Sequence, residues 1–575
     1  MANTINGIMV KKFKNKIKLY YVNNIFDGLK KKIVLEKNNF FLTSNLIIYS
    51  KFKKLNNFYY SHDFINNNEV QKFYVNNIND WHKTLYNIDS SINSLLLKEK
   101  LKFNKNFYIS SYVFRYFAFQ EYSKIILLKK CIKRFSKKNK TEKIIFLGKF
   151  ELKYFSDKFV VKYLNTYFSQ EISCNNHFIN QKKLKLKSKL KIRINKKNLF
   201  LFFQLSKKKF LNSLSQIFKK PSSLFLTYQR ELLYDENSSF YNLNNIHVRK
   251  NGELNTNFDK KIILKNIKIP KIFSDHITSQ ALELFKNNYN LIEQFNEKFK
   301  KLKIINLSYD IEDTDIKSYF AIHVAKMLNL KTTGYQHGSD YGVTPGRDID
   351  HNYLCYRFAD EYIIWGFSKF FDKKKKNIYL KDIKFINKGS LSGKFLKNIL
   401  NFKMGTDNKK IMYVPSIVRT DFMNAKSVQD PNWQIQLQNK IVNFLVKRNL
   451  NETFLSLPSF SYEYCLNYFP IAFDKKIQKL KMLEGSFKDN LLECKPKVLI
   501  FDNFSTPLYE SLNTNCKIIV FIDPLNIPKK DVLLKLNKRV EIIYSTKNMD
   551  IILNKKLNEK IFKKNNEFKN SFYYN

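Results

Sequence analysis

Glycine and proline are scarce in this chain, 13 and 11 among 575 residues, and its six cysteines are scattered with no CxxC pair. The scarcity excludes collagen-like and Pro/Gly-rich low-complexity chains. The cysteine spacing supplies neither a zinc site nor a disulfide framework, so a reducing compartment is expected and no metal. No run approaches the ~20 apolar residues of a spanning helix. The opening MANTINGIMVKKFKNKIK lacks the apolar stretch and small-residue cleavage site of a secretory signal. The expectation is a cytoplasmic protein.

Acidic residues are also few, 49 against 102 Lys and Arg, for a net charge of +53 and a pI near 9.8. Such a balance points first to nucleic acid, because a basic surface gains affinity by releasing counterions from phosphates. Nearly all of the charge is Lys, however, and Asn, Ile, Phe and Tyr are abundant too, the pattern that AT-rich codons produce. Discounted for that bias, the charge leaves a surface suited to anionic company such as lipid headgroups, sugar phosphates or acidic glycans. Peripheral contact with the inner membrane fits. What the chain does have is core material: 44% hydrophobic and 16% aromatic residues, enough for two or three domains at this length.

Residues 1–270 alternate short β-branched and aromatic runs (IKLYYV, KKIVLEK, NLIIYS, KIIFLGKF) with longer mixed segments, of which 110–135 reads as helix. This is an α/β texture. The lysine-rich stretch 181–209 reads as an amphipathic strand with a solvated face in preference to a basic RNA- or membrane-binding element.

From Ser279 the periodicity predicts a helix over 279–302, a strand at KIINLSY, a helix over 313–330 opened by Asp and Thr, and a strand at LKTTGYQ. That β-α-β succession is the mark of a parallel sheet. DEYIIWG is a further strand, and 388–405 is the candidate interdomain linker. A second α/β unit opens at KKIMYVPSI and continues through a helix at 432–448, a strand at ETFLSLP and a helix near 473–493. The buried parallel strand VLIFDN follows, then a helix capped by Ser505 or Thr506 with Pro507 first, and the strand KIIVFID.

Chemistry gathers at two strand ends. After LKTTGYQ stand Gln336, His337, Gly338, Ser339, Asp340, Tyr341 and Gly342, where ligands bind in open parallel sheets. His337 is a candidate general base on an acceptor hydroxyl, or a hydrogen-bond donor to phosphate, against the plain alternative of a loop histidine bonded to backbone. Asp340 is a second candidate base, or a turn residue bonded to its own backbone. Arg347 and Arg419 stand out in a Lys-rich chain and suit bidentate contact with phosphate; a surface ion pair is the alternative. After VLIFDN, the hydroxyls of Ser505 and Thr506 and the free N–H groups of the helix start suit a phosphate, and Glu510 suits ribose hydroxyls. His323 falls inside an apolar helix and reads as structural, and Trp365 reads as core. His323, His337 and His351 lack metal-ligand spacing.

QHGSDYG, preceded by a helix and followed by FADEYIIWGF, resembles the QHGGxYG and D-x-WGW pattern of a transferase family associated with O-antigen and other surface polysaccharides. DNFSTPLYESLNTNCKIIVF is similar to that family's Asp, Ser/Thr, Glu-x-Leu block, itself similar to donor-site blocks of other GT-B enzymes, including Kdo and glycerophosphate transferases. The match runs from roughly Asp275 to Asp523. Ser339 replaces the second glycine of QHGG, and Phe367 stands where a second tryptophan is usual.

The resemblance implies an α/β, GT-B-like fold, with two Rossmann-like parallel-sheet domains facing a cleft. Residues 1–270 and 271–400 would form the acceptor side with the QHG loop, and 406–575 the nucleotide-sugar-binding domain. It implies a metal-independent glycosyltransferase with no cofactor beyond its nucleotide-sugar donor, acting on a glycan or lipid-linked acceptor. His337 and Asp340 would be catalytic. Ser505, Thr506, Glu510 and Arg419 would bind the donor, with Gln336, Gly338, Tyr341, Gly342 and Arg347 supporting the loop or acceptor. Alditol-phosphate transfer from a CDP-activated donor is the alternative on the same fold, and a basic nucleic-acid-binding protein is the alternative of another class.

Overall fold

A computed structural model of the protein describes residues 17–22, 29, 32–33, 39–45, 48–49, 52–98, 107–115, 117–139, 141–147, 150, 152–175, 222–225, 240–242, 267–309, 316–336, 343, 358–365, 383–387, 409–418, 431–448, 452–457, 479–512, 514–524, 527–544 and 547–559. The lysine-rich stretch 181–209 and the linker 388–405 lie outside them. The class is α/β, and every strand pairing among the described residues is parallel.

The described strands form three sheets. The first joins β1 (Lys18–Val22), β2 (Phe40–Thr43), β3 (Phe58–Tyr60), β4 (Lys143–Leu147) and β5 (Glu171–Asn175) in the order β3-β2-β1-β4-β5. It lies in one compact unit with the described residues up to Tyr74 and those from Gln120 through Asn175. Its faces are covered as parallel strands require. Tyr20, Val22, Phe41, Phe58 and Leu147 pack with Leu29, Ile33, Ile48 and Phe52, while Phe135 of the helix Phe117–Asn139 meets Phe40 and Tyr59 edge-on. Within KKIVLEK and NLIIYS, the described Lys32–Ile33 and Ile48–Tyr49 are helical where strand was expected, and Ile33 and Ile48 are part of that cover.

The other unit holds two sheets together with residues 75–119. The second sheet joins β6 (Ser222–Phe225), β7 (Phe240–Asn242), β8 (Ile304–Tyr309), β9 (Lys331–Tyr335), β10 (Glu361–Ile364) and β11 (Lys384–Asn387) in the order β11-β10-β9-β8-β6-β7. The single helix expected over 279–302 is two, Lys271–Asn288 and Leu291–Lys301, interrupted at Tyr289 and Asn290. The Ile292 N–H there donates to the Tyr289 carbonyl at 3.1 Å, a tighter i to i+3 bond. Gly334 in β9 is required by a close approach: an added Cβ would lie 2.4 Å from the Tyr362 ring.

Helix Ile316–Met327 is buried from Ser318 through Ala325. His323 lies in it, stacked on Phe107 with ring centroids 3.8 Å apart, and the Tyr108 N–H donates to the Tyr319 hydroxyl at 2.9 Å. His323 is therefore core, as expected.

The third sheet joins β12 (Ile411–Val414), β13 (Thr453–Leu457), β14 (Lys481–Glu484), β15 (Val498–Phe501), β16 (Lys517–Phe521) and β17 (Glu541–Ile543) in the order β14-β13-β12-β15-β16-β17. Side chains alternate between two apolar cores, as period two demands. Met412, Val414, Leu499, Phe501, Ile518 and Val520 face one core, completed by Leu491, Leu508 and Val532. Ile411, Tyr413, Val498, Ile500, Ile519 and Phe521 face the other, completed by Leu437, Ile441, Leu445 and Leu553. Helices thus cover both faces. The continuous helix expected over 473–493 is corrected: KMLE is the edge strand β14, and the helix is the shorter Phe487–Cys494, capped by Ser486, whose Oγ accepts from the Asp489 N–H at 3.3 Å.

Burial pushes the His323 imidazole down to about 3. Between that value and its ordinary value near 6.5 the unfolded chain binds a proton that the folded chain does not. Stability from this residue is complete above the unfolded value and is lost as the pH falls. Urea denaturation at pH 7 and 4.5 should show the stability difference between the two pH values shrinking by about 2–3 kcal/mol in His323→Leu.

Candidate functional site

The third sheet's strand order reverses between β12 and β15, the switch point outside whose carboxyl ends open parallel sheets bind ligands. Asp502 directly follows β15 and is 1% exposed. Its Oδ1 accepts from the Ser416 N–H at 2.7 Å, and its Oδ2 accepts from the Tyr413 hydroxyl at 2.9 Å and Gln438 Nε2 at 2.7 Å. Gln434 and Gln438 share a face of the helix Pro431–Val446. Gln434 Nε2 donates to Ser416 Oγ, and Gln438 Nε2 also donates to the Ser416 carbonyl at 3.0 Å. The chain leaving β12 is thereby tied to the chain leaving β15.

The electrostatics of this cluster follow from burial. Loss of water raises the Asp502 carboxyl above the usual carboxylate range, while the hydrogen bonds from Ser416, Gln438 and Tyr413 oppose the rise. Burial and the neighbouring carboxylate push the Tyr413 phenol well above 10, so it stays a donor.

Ser505 and Thr506 lie three and four residues beyond Asp502 and are partly exposed. Ser505 occupies the N-cap position in extended conformation (φ −141°, ψ 163°), and the helix runs Thr506–Ser511 with Pro507 in its first turn. Two expectations are corrected here. The helix begins at Thr506 rather than Pro507, and the Ser505 side chain makes no capping bond. Glu510 is turned to an ion pair: its carboxylate lies 3.1 Å from Lys488 Nζ, with both side chains largely buried. That pairing joins two helices on one face of the sheet and competes with the expected ribose contact.

At the end of β9, Gln336 is 1% exposed. Its N–H donates to the Ile363 carbonyl and its Oε1 accepts from the Trp365 N–H, both at 2.9 Å. The side chain locks the carboxyl ends of β9 and β10 together. Trp365 is buried as core. His337, Gly338, Asp340, Tyr341, Gly342, Arg347 and Arg419 lie outside the described residues. Val343 is described, and it is fully buried in the third sheet's core with Phe504, Leu508 and Val532. Its carbonyl accepts from the Lys529 N–H at 2.9 Å. The chain that leaves the second sheet at Gln336 is therefore anchored in the third sheet seven residues later.

Asp502, Ser416, Tyr413, Gln434 and Gln438 did not stand out as site residues in the sequence. Two signals were there: an Asp closing an all-apolar strand (VLIFD), and glutamines four apart in a helix that carries Leu437 and Ile441 to the core. Among the described residues no group of three His, Cys, Asp or Glu side chains is arranged to hold a metal ion. No described helix is long and apolar enough to cross a membrane.

No family model matches the chain, and no curated protein matches its sequence. Among solved structures, a UDP-N-acetylglucosamine 2-epimerase is similar at 11% identity, TM-score 0.31, over 61% of this chain and 89% of its own. A glycosyltransferase from Rickettsia africae is similar at 13% identity, TM-score 0.34, over 65% and 90%. MurG of Acinetobacter baumannii is similar at 10% identity, TM-score 0.29, over 64% and 90%. At these scores the likeness bears on neither activity nor substrate.

Replacing Gln336 by Leu removes the acceptor of the buried Trp365 N–H, and an orphaned buried donor costs about 1–3 kcal/mol. Gln336→Leu should lower the thermal midpoint accordingly. Differential scanning calorimetry of the variant beside the wild-type protein checks it.

Proposed function

We propose that this protein is a metal-independent glycosyltransferase of GT-B type that moves a sugar from a nucleotide-activated donor to a bacterial surface-polysaccharide acceptor, in the cytoplasm or at the inner membrane surface. The observation that carries the reading is the switch point of the third sheet. There the chain after β12 and the chain after β15 are joined by Asp502, and partly exposed Ser505 and Thr506 follow at the mouth.

In this reading the hydroxyls of Ser505 and Thr506 hydrogen-bond the donor's phosphates. Arg419, one residue beyond the described chain after β12, offsets the charge that develops on the leaving nucleotide. His337 or Asp340 takes the proton from the acceptor hydroxyl as it attacks the anomeric carbon. The acceptor is a glycan or lipid-linked glycan, and the positive surface favours an anionic setting. The anchoring of Val343 beside Phe504 and Leu508 supports the pairing of the two clusters, since it ties the chain after QHG to the sheet that would bind the donor.

A thermal-shift screen against UDP, GDP, CMP, CDP and dTDP tests the reading. At least one nucleotide should stabilise the wild-type protein, and the shift should vanish in the Ser505→Ala/Thr506→Ala double variant. His337→Ala should keep the shift and lose sugar transfer. A protein that ignores all five nucleotides and binds RNA with steep salt dependence would overturn the proposal.

A further inference from the structure

We infer that Asp502 is a positioning residue for nucleotide binding, holding Ser416 so that the chain after β12 forms one wall of the switch-point crevice. The inference rests on the donor-site reading above and adds to it a residue that does not itself touch the ligand.

Three observations carry it. First, Ser416 is held from every side: its N–H by Asp502, its carbonyl by Gln438 and its hydroxyl by Gln434. Ser416 is half-buried, and a binding wall held in advance saves ordering cost when ligand arrives.

Second, the arrangement is a poor way to gain stability. Among the described residues no Lys or Arg is ion-paired with Asp502, so a buried carboxylate is balanced by neutral donors alone. Replacing such buried polar clusters by well-packed apolar groups is often neutral or stabilising. Stability alone therefore does not account for a carboxylate at this position.

Third, the Oε1 atoms of Gln434 and Gln438 are buried with no hydrogen-bond partner among the described residues, and each residue is only 1% exposed. Both amides give their nitrogens to the Ser416–Asp502 cluster and leave their oxygens unmet. Buried unsatisfied acceptors are rare in native proteins and call for a reason beyond packing. Holding Ser416 supplies one.

The test uses the full-length protein and titration calorimetry with UDP and with CDP, at a temperature where circular dichroism shows each variant folded. Asp502→Leu, which leaves the Ser416 N–H without an acceptor, should weaken nucleotide binding tenfold or more. Ser416→Pro removes the N–H itself while keeping the carboxylate, and should show the same loss even where Asp502→Leu does not fold. Asp502→Asn keeps an acceptor oxygen for Ser416, and Tyr413→Phe leaves that bond untouched, so both should bind within threefold of wild type while lowering the thermal midpoint. Full affinity in Asp502→Leu and Ser416→Pro would overturn this inference and leave the donor-site reading standing. So would affinity losses that track the fall in midpoint across all four variants. A wild-type protein that binds neither nucleotide would sink the donor-site reading and this inference with it.

Discussion

Parallel strands cannot be joined by tight turns. Each crossover must climb over one face of the sheet, so both faces end up covered and the strands between them must be apolar on both sides. The rest of this structure follows from that constraint. It explains why β12, β15 and β16 are buried along their whole lengths, and why their side chains divide by parity between two cores. It also explains why polar residues crowd into the loops at the strand ends. Chemistry in such a sheet has nowhere to sit except the carboxyl edge.

At that edge the governing rule changes from apolar contact to hydrogen-bond accounting. Asp502 and Gln336 each close a carboxyl strand end by accepting a backbone N–H, from Ser416 and Trp365 respectively, and Asp360 does the same for Thr332 at the opposite, amino edge of the second sheet. Side-chain acceptors substitute there for the ladder bonds that the sheet no longer supplies. The same device recurs away from the strand ends, where the Asp89 carboxylate takes the Ser110 and Ser111 N–H groups at 2.7 and 2.9 Å.

How much was legible in the sequence depended on how far apart the interacting residues lie. VLIFD, KIIVF and IMYV could be read because a strand buried on both faces is an unbroken apolar run. β14 could not, because KMLE sits at the sheet's edge with Met482 43% exposed, and two apolar residues between charges carry no period. At Ile48–Tyr49 and Lys32–Ile33 the sequence misled because a short apolar run fits a helix laid on a sheet as well as a strand inside one. The helix start at Ser505 and Thr506 was legible through local spacing. The Asp502 cluster was not, since its bonds join residues 64 to 89 positions apart and no local pattern encodes them. The ion pair of Glu510 with Lys488 of the preceding helix is likewise encoded by no local pattern.

The anchoring of Val343 has a consequence for how this chain tolerates change in length. Gln336 is fixed to the second sheet and Val343 to the third, and the seven peptide steps between them reach at most about 25 Å. Whatever distance separates the two strand edges, this segment is a tie of set length between them. A residue gained or lost inside it changes the greatest reach of that tie by about 3.6 Å. One gained or lost between Val343 and Phe358, the next described residue, leaves the tie as it was.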